Sequence, residues 1–111
     1  MSAQKKQIGG KGHTEAAEDG LMEKLANYRA LTKKALEKVG FAKGLGEKEM
    51  ADAEKLLEMG RNYFADAQYF EMHGKPLTAL AAYSYAHAWI DAGVRLCLLD
   101  GKGDDRLFTL P

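Results

Sequence analysis

The stretch from Leu77 to Leu99 constrains the fold most, because Asp91 and Arg95 are its only formally charged residues. A helix that is apolar on nearly every side must bury most of its surface. The stretch is also long enough to resemble a membrane span. The Asp91/Arg95 pair and His87 near the middle argue against a span. We therefore predict that this stretch forms the central helix of a soluble domain.

Two further helices are predicted to cover this one, which makes the chain all-α. Apolar residues recur at helical spacing on both sides of a loop that begins near residue 41. Gly40 is predicted to end the first helix, and Gly60 to mark a close helix crossing. Gly74 suits the left-handed position after a helix, and Pro76 suits the first turn of the next one. The predicted fold is an up-and-down bundle of three long helices over about 15–39, 47–73 and 76–99.

The length of 111 residues predicts a single domain with two short extensions. Residues 1–13 contain three glycines, and their charges are all basic, so we expect a disordered basic tail there. Residues 14–100 are predicted to form the three-helix domain. Residues 101–111 end in several apolar side chains, and we expect this extension to pack on the bundle.

Composition narrows the function classes. Lys plus Arg and Asp plus Glu both number 16, so the formal net charge is zero, whereas dedicated nucleic-acid-binding domains usually carry a basic excess. The single cysteine, Cys97, excludes an internal disulfide and a cysteine-built zinc site. The N-terminus lacks the apolar core of a signal peptide. We expect a cytoplasmic protein with no membrane association and no cofactor.

Four polar residues share one side of the third helix, because Ser84, His87, Asp91 and Arg95 follow each other at steps of three and four. We call these four residues the polar ridge. A Ser-His-Asp set invites comparison with a hydrolytic triad, but parallel side chains on one helix rarely reach that geometry, and no glycine-rich segment supplies an oxyanion hole. A metal site is also disfavoured: His87 and Asp91 have a permissible spacing, but no Glu-x-x-His pair is present to complete it.

A structural role for the polar ridge is therefore favoured. Asp91 and Arg95 are predicted to form an i,i+4 ion pair, and the ridge is predicted to fix helix register or the choice of partner. We predict no catalytic, metal-binding or cofactor-binding residue. The polar ridge is the candidate interaction site.

Several segments of the sequence are similar to those of a known family. These segments are Tyr28–Thr32, Ala35–Lys38, Ala65–Phe70, Gly74 with Lys75, Ala79, Ala82 and Tyr85–Leu96. Together they resemble the archaeal family known as domain of unknown function three-five-seven, over roughly residues 21–99. The most specific stretch is Trp89–Arg95. The resemblance implies an archaeal, cytoplasmic protein with three long up-and-down helices. It implies no activity and no catalytic residues.

The expected function is that of a non-enzymatic protein-interaction module that forms a homo-oligomer through its apolar third helix. The alternative is a nucleic-acid-associated helical module, of an RNA-binding or nucleotidyltransferase-partner type, in which His87 and Arg95 contact the ligand. The zero net charge does not support that alternative, and Arg95 lacks the histidine five positions later that ribonuclease domains of this kind carry. A third class, a small-molecule or metal carrier, requires a pocket with His87 and Asp91 in its wall.

Overall fold

A computed structural model describes residues 10–111 of the chain, with side chains from residue 17 onward. Its helices are α1 (Gly10–Lys38), α2 (Glu47–Met72) and α3 (Pro76–Arg95). Two short strands, β1 (Gly40–Phe41) and β2 (Leu99–Asp100), pair antiparallel, with Gly40 opposite Asp100 and Phe41 opposite Leu99. The predicted all-α fold of three long helices is confirmed.

The start and surroundings of α1 differ from the prediction. The helix begins at Gly10 rather than near residue 15. A glycine in a helix costs only about 1 kcal/mol relative to alanine, so two glycines did not have to end it. Residues 1–9 of the predicted tail lie outside the described residues. Gly40, which was predicted to end α1, lies in β1 instead, and α1 ends two residues earlier at Lys38.

The end of α3 also differs, because α3 ends at Arg95 rather than near residue 99. The Cys97 N–H donates to the Val94 carbonyl at 3.0 Å, and the Leu98 N–H donates to the Gly93 carbonyl at 3.0 Å. These two bonds define a Schellman motif, with Cys97 at the left-handed position (φ 62°). The predicted end near residue 99 was too late, because a cysteine is not expected at the left-handed position.

Helix α3 lies at the centre of the domain and packs against both other helices, whereas α1 and α2 hardly contact each other. Its buried residues are Ala79, Tyr83, Ala86, Ile90, Gly93 and Val94. Gly60 marks a close helix crossing, as predicted. A Cβ atom at Gly60 would lie 2.8 Å from Cγ1 of Ile90 and 3.4 Å from the Ala86 carbonyl oxygen. A side chain there would force the Ile90 side chain to move or α2 to shift away from α3.

Residues 104–111, which we call the C-terminal segment, also pack against α3. Phe108 is only 4% exposed and belongs to the same core cluster as Val94 and Leu99. The Asp104 carboxylate begins the segment by accepting the N–H groups of Arg106 and Leu107 at 3.0 and 3.1 Å. Lys38 of α1 donates to Asp104 at 2.9 Å. This hydrogen bond, followed by the one from the Leu107 backbone, lowers the pKa of Asp104 below its ordinary value.

Candidate interaction site on helix α3

Three members of the polar ridge bind the backbone of the C-terminal segment. The His87 ring donates from Nε2 to the Leu107 carbonyl at 2.6 Å, so this nitrogen must carry the proton. The Asp91 carboxylate accepts the N–H of Thr109. The Arg95 guanidinium donates to the carbonyl of residue 110 at 2.6 Å. Successive turns of α3 thus hold the backbone at residues 107, 109 and 110.

His87 also connects the ridge to the interior of the domain. Its Nδ1 lies 3.4 Å from Oγ1 of Thr32, a fully buried residue of α1. The Thr32 hydroxyl lies 3.4 Å from the Tyr83 carbonyl as well. Because a buried hydroxyl needs a partner, these contacts give Thr32 two possible acceptors on α3. The histidine therefore links α1, α3 and the C-terminal segment.

The structure corrects two details of the predicted ridge. Among the ion pairs of residues 17–111, Asp91 with Arg95 is not one, because each side chain is directed to the C-terminal segment. Ser84 is exposed and does not join the other three. Its hydroxyl donates to the Leu80 carbonyl of the same helix at 3.0 Å.

A second polar cluster lies nearer the start of α3, and it was not predicted from the sequence. The Tyr83 hydroxyl donates to the Glu71 carboxylate at 2.8 Å, and Arg29 of α1 pairs with the other oxygen of that carboxylate. Burial raises the pKa of Tyr83, and the hydrogen bond and charge of Glu71 raise it further. The excess of acidic residues in α2, seven against three basic ones, was a signal for such a pair. It did not indicate which residues form the pair.

One side of α3 is exposed in the part of the chain whose side chains the structure describes, and we call it the free side. It consists of Leu77, Ala81, Ser84, Tyr85, Ala88, Ala92 and Leu96, all of which are exposed. Its largest side chains are Leu77, Tyr85 and Leu96, at 68%, 48% and 66% exposure. None of its seven members is charged. A helix in a compact bundle normally carries polar or charged residues on such a side.

The free side is not flat. A depression of about 160 Å³ is lined by Tyr85, Ala88, Trp89 and Ala92. The Tyr85 ring beside it is held by edge contacts with Tyr63 at 4.5 Å and with Trp89 at 5.9 Å between ring centroids. A bulky side chain and an adjacent depression therefore occupy the middle of the free side.

A family model described as "Protein of unknown function (DUF357)" matches residues 27–99, which is more than half of the chain. The chain belongs to the DUF357 family. No curated protein and no solved structure matches it. Within the part of this DUF357 chain that the structure describes, no group of three His, Cys, Asp or Glu residues is arranged to hold a metal ion. No helix among the described residues is long and apolar enough to cross a membrane.

The DUF357 match includes the polar ridge but not the backbone groups of the C-terminal segment that the ridge binds. His87, Asp91 and Arg95 lie inside the matched range, which ends at residue 99. The backbone groups that they bind, at residues 107, 109 and 110, lie beyond it. The free side of α3 lies wholly inside the match.

Proposed function

We propose that this chain is a non-enzymatic, cytoplasmic protein-interaction module that pairs with a second copy of itself through the free side of α3. The observation that carries the proposal is the uncharged, exposed and mainly apolar character of that side. Contiguous apolar patches of this kind on small soluble domains commonly mark interaction sites.

The packing around α3 supports this choice of surface. Helices α1 and α2 cover the inner sides of α3, and the C-terminal segment covers the side that carries His87, Asp91 and Arg95. Within residues 17–111, every member of the free side stays exposed. A helix with an exposed apolar side gains free energy when a further helix buries that side, by about 25 cal/mol for each Å² of apolar surface.

The small residues of the free side favour a helix as the partner element. Ala81, Ala88 and Ala92 place only methyl groups on the surface. Short side chains allow two helix axes to approach to the lower end of the usual 8–10 Å range. A second α3 helix offers the same short side chains, so both partners can approach closely.

The mass of the full chain in solution tests the proposal. We expect sedimentation equilibrium at micromolar concentration to give twice the chain mass of 12.2 kDa. Ala88→Glu places a charge at the centre of the free side and is expected to give the mass of one chain. Burying an unpaired carboxylate in an apolar interface is strongly unfavourable.

Ala30→Glu is the matched control, because Ala30 is an exposed alanine of α1. This variant should keep the wild-type mass, and circular dichroism should show the same helix content in all three proteins. A wild-type chain that stays at the mass of one copy over the whole concentration range would refute self-association. A paired Ala88→Glu variant would refute the assignment of the surface.

A further inference from the structure

The free side of α3 is nearly the same when it is read in either direction along the helix. Its apolar members are Leu77, Ala81, Tyr85, Ala88, Ala92 and Leu96, at steps of four, four, three, four and four residues. The spacing is symmetric, and the outer residues match: leucine lies at both ends, with alanine next to each. Only the central pair differs, with tyrosine on one side and alanine on the other.

Such a pattern is self-complementary for an antiparallel pair. In antiparallel coiled-coil packing, side chains that lie level with each other interdigitate across the seam. A two-fold axis between residues 86 and 87 brings Ala81 level with Ala92 of the second copy, and Tyr85 level with Ala88 of the second copy. Large side chains then meet small ones in the two central layers. A parallel pair would place two tyrosines against each other and two alanines against each other.

The depression on the free side fits this register. Tyr85, Ala88, Trp89 and Ala92 occupy positions i, i+3, i+4 and i+7, the four residues that form a hole in knobs-into-holes packing. Their mean position along the helix lies level with Tyr85 of a second copy in the antiparallel register. The depression is open to solvent and its lining is mainly apolar, so an aromatic ring can lie against it.

We propose that two copies pack their α3 helices antiparallel about this axis, so that Tyr85 of each copy fills the depression of the other. This inference rests on the proposed self-association and adds its direction, its register and the residue that fills the site. Both contacts are equivalent by symmetry, as a two-fold interface requires. The contacts of Tyr85 with Tyr63 and Trp89 hold the ring in place before binding, which lowers the entropic cost of association.

Cysteine cross-linking distinguishes the antiparallel pair from a parallel one. All variants carry Cys97→Ser, because the native Cys97 is exposed and free. In the antiparallel register, residue 81 of one copy lies beside residue 92 of the other. Two copies of residue 81 are eleven positions apart along the axis, or about 16 Å. A disulfide needs Cα atoms within about 7 Å.

We expect the double variant Ala81→Cys/Ala92→Cys to form covalent dimers on mild oxidation with diamide, and each single variant to stay unlinked. Ala30→Cys, on the exposed face of α1, measures the level of linking by random collision. Linking of Ala81→Cys alone above that level would show a parallel pair and overturn the inference. The absence of linking in every variant, with a wild-type mass of two chains, would also overturn it while leaving self-association intact.

The role of Tyr85 has its own readout. Tyr85→Ala is expected to weaken pairing at least tenfold in sedimentation equilibrium, because it empties both depressions at once. Unchanged pairing in that variant would overturn the assignment of Tyr85. A wild-type mass of a single chain would instead remove the proposed function itself, so the two failures are distinguishable.

Discussion

His87, Asp91 and Arg95 have the same role: each forms a hydrogen bond with the backbone of the C-terminal segment. Side-chain bonds to main-chain groups do not depend on which side chains the segment carries. The sequence could therefore predict that the ridge residues share a side of α3, since that follows from helical periodicity. It could not predict which groups these residues bind. Their partners are backbone atoms, which every residue type carries.

The predicted Asp91–Arg95 ion pair does not form because hydrogen bonds to the backbone are the stronger alternative. Spacing of i,i+4 makes such a pair possible, but an exposed pair contributes only about 0.3–0.5 kcal/mol. Hydrogen bonds from charged side chains to backbone groups contribute more, about 1 kcal/mol at exposed sites such as these two and about 1.5–3 kcal/mol when they are shielded. The folded-back segment offered the stronger partners, and both side chains are directed to it.

Asp91→Ala tests the ridge at this scale. Removing the acceptor of the Thr109 N–H is expected to lower the free energy of unfolding by about 1 kcal/mol, which is less than a shielded charged hydrogen bond contributes because Thr109 is exposed. Urea unfolding measures the loss, and hydrogen exchange at the Thr109 amide should speed up. Ser84→Ala is the control and should change stability by less than about 0.5 kcal/mol, because Ser84 bonds only within its own helix. Equal exchange at Thr109 in both variants would contradict this role of Asp91.

The two long helices α2 and α3 end in the same motif with different residues at its left-handed position. At the end of α2, Gly74 has φ 73°, and the Lys75 N–H donates to the Phe70 carbonyl at 2.9 Å. At the end of α3, Cys97 takes the same position with φ 62°. The end of α2 was predictable because its signal is a glycine followed closely by a proline. The end of α3 was not, because its signal comes from the geometry of the following strand pair.

Cys97→Gly is therefore expected to stabilise the domain. An L-residue in the left-handed region destabilises the folded state by about 1–2 kcal/mol, and glycine removes this cost. Glycine also makes the unfolded chain more flexible, which offsets about 0.4–1 kcal/mol of the gain. The net gain should be about 0.5–1 kcal/mol in the free energy of unfolding, measured by urea denaturation. Cys97→Ala keeps a Cβ atom and is the matched control, with no gain expected. An equal gain in both variants would show that the thiol, rather than the backbone, is the source.

At the scale of the whole molecule, a central α3 and two flanking helices could be predicted from hydrophobic patterning alone. The near absence of charge between residues 77 and 99 required a helix with neighbours on several sides. Which element packs on which side of α3 could not be predicted. It depends on the C-terminal segment occupying one side and on the crossing at Gly60, where α2 approaches within reach of Ile90.

The core of the domain extends beyond the range that matches the family. Phe108 lies outside residues 27–99, yet it is 4% exposed and clusters with Ala35 of α1, Leu57 of α2 and Val94 of α3. A Cβ atom at Gly101 would lie 2.8 Å from the Phe108 ring, so the loop before the segment is packed against that ring as well. One aromatic side chain thus completes the contact among all three helices.

Phe108→Ala should accordingly destabilise the whole domain rather than release the C-terminal segment alone. Truncation of a buried phenylalanine costs about 3–5 kcal/mol, a large share of the 5–15 kcal/mol that stabilises a typical domain. We expect a single cooperative urea transition, shifted to lower denaturant, when it is followed by far-ultraviolet circular dichroism of the helices. Thr109→Ala is the control, because this exposed residue contributes only its backbone N–H to Asp91 and should shift the transition by less than about 0.5 kcal/mol. An unchanged helix transition in Phe108→Ala would mean that the three helices are stable without the segment, and that the core ends where the family match ends.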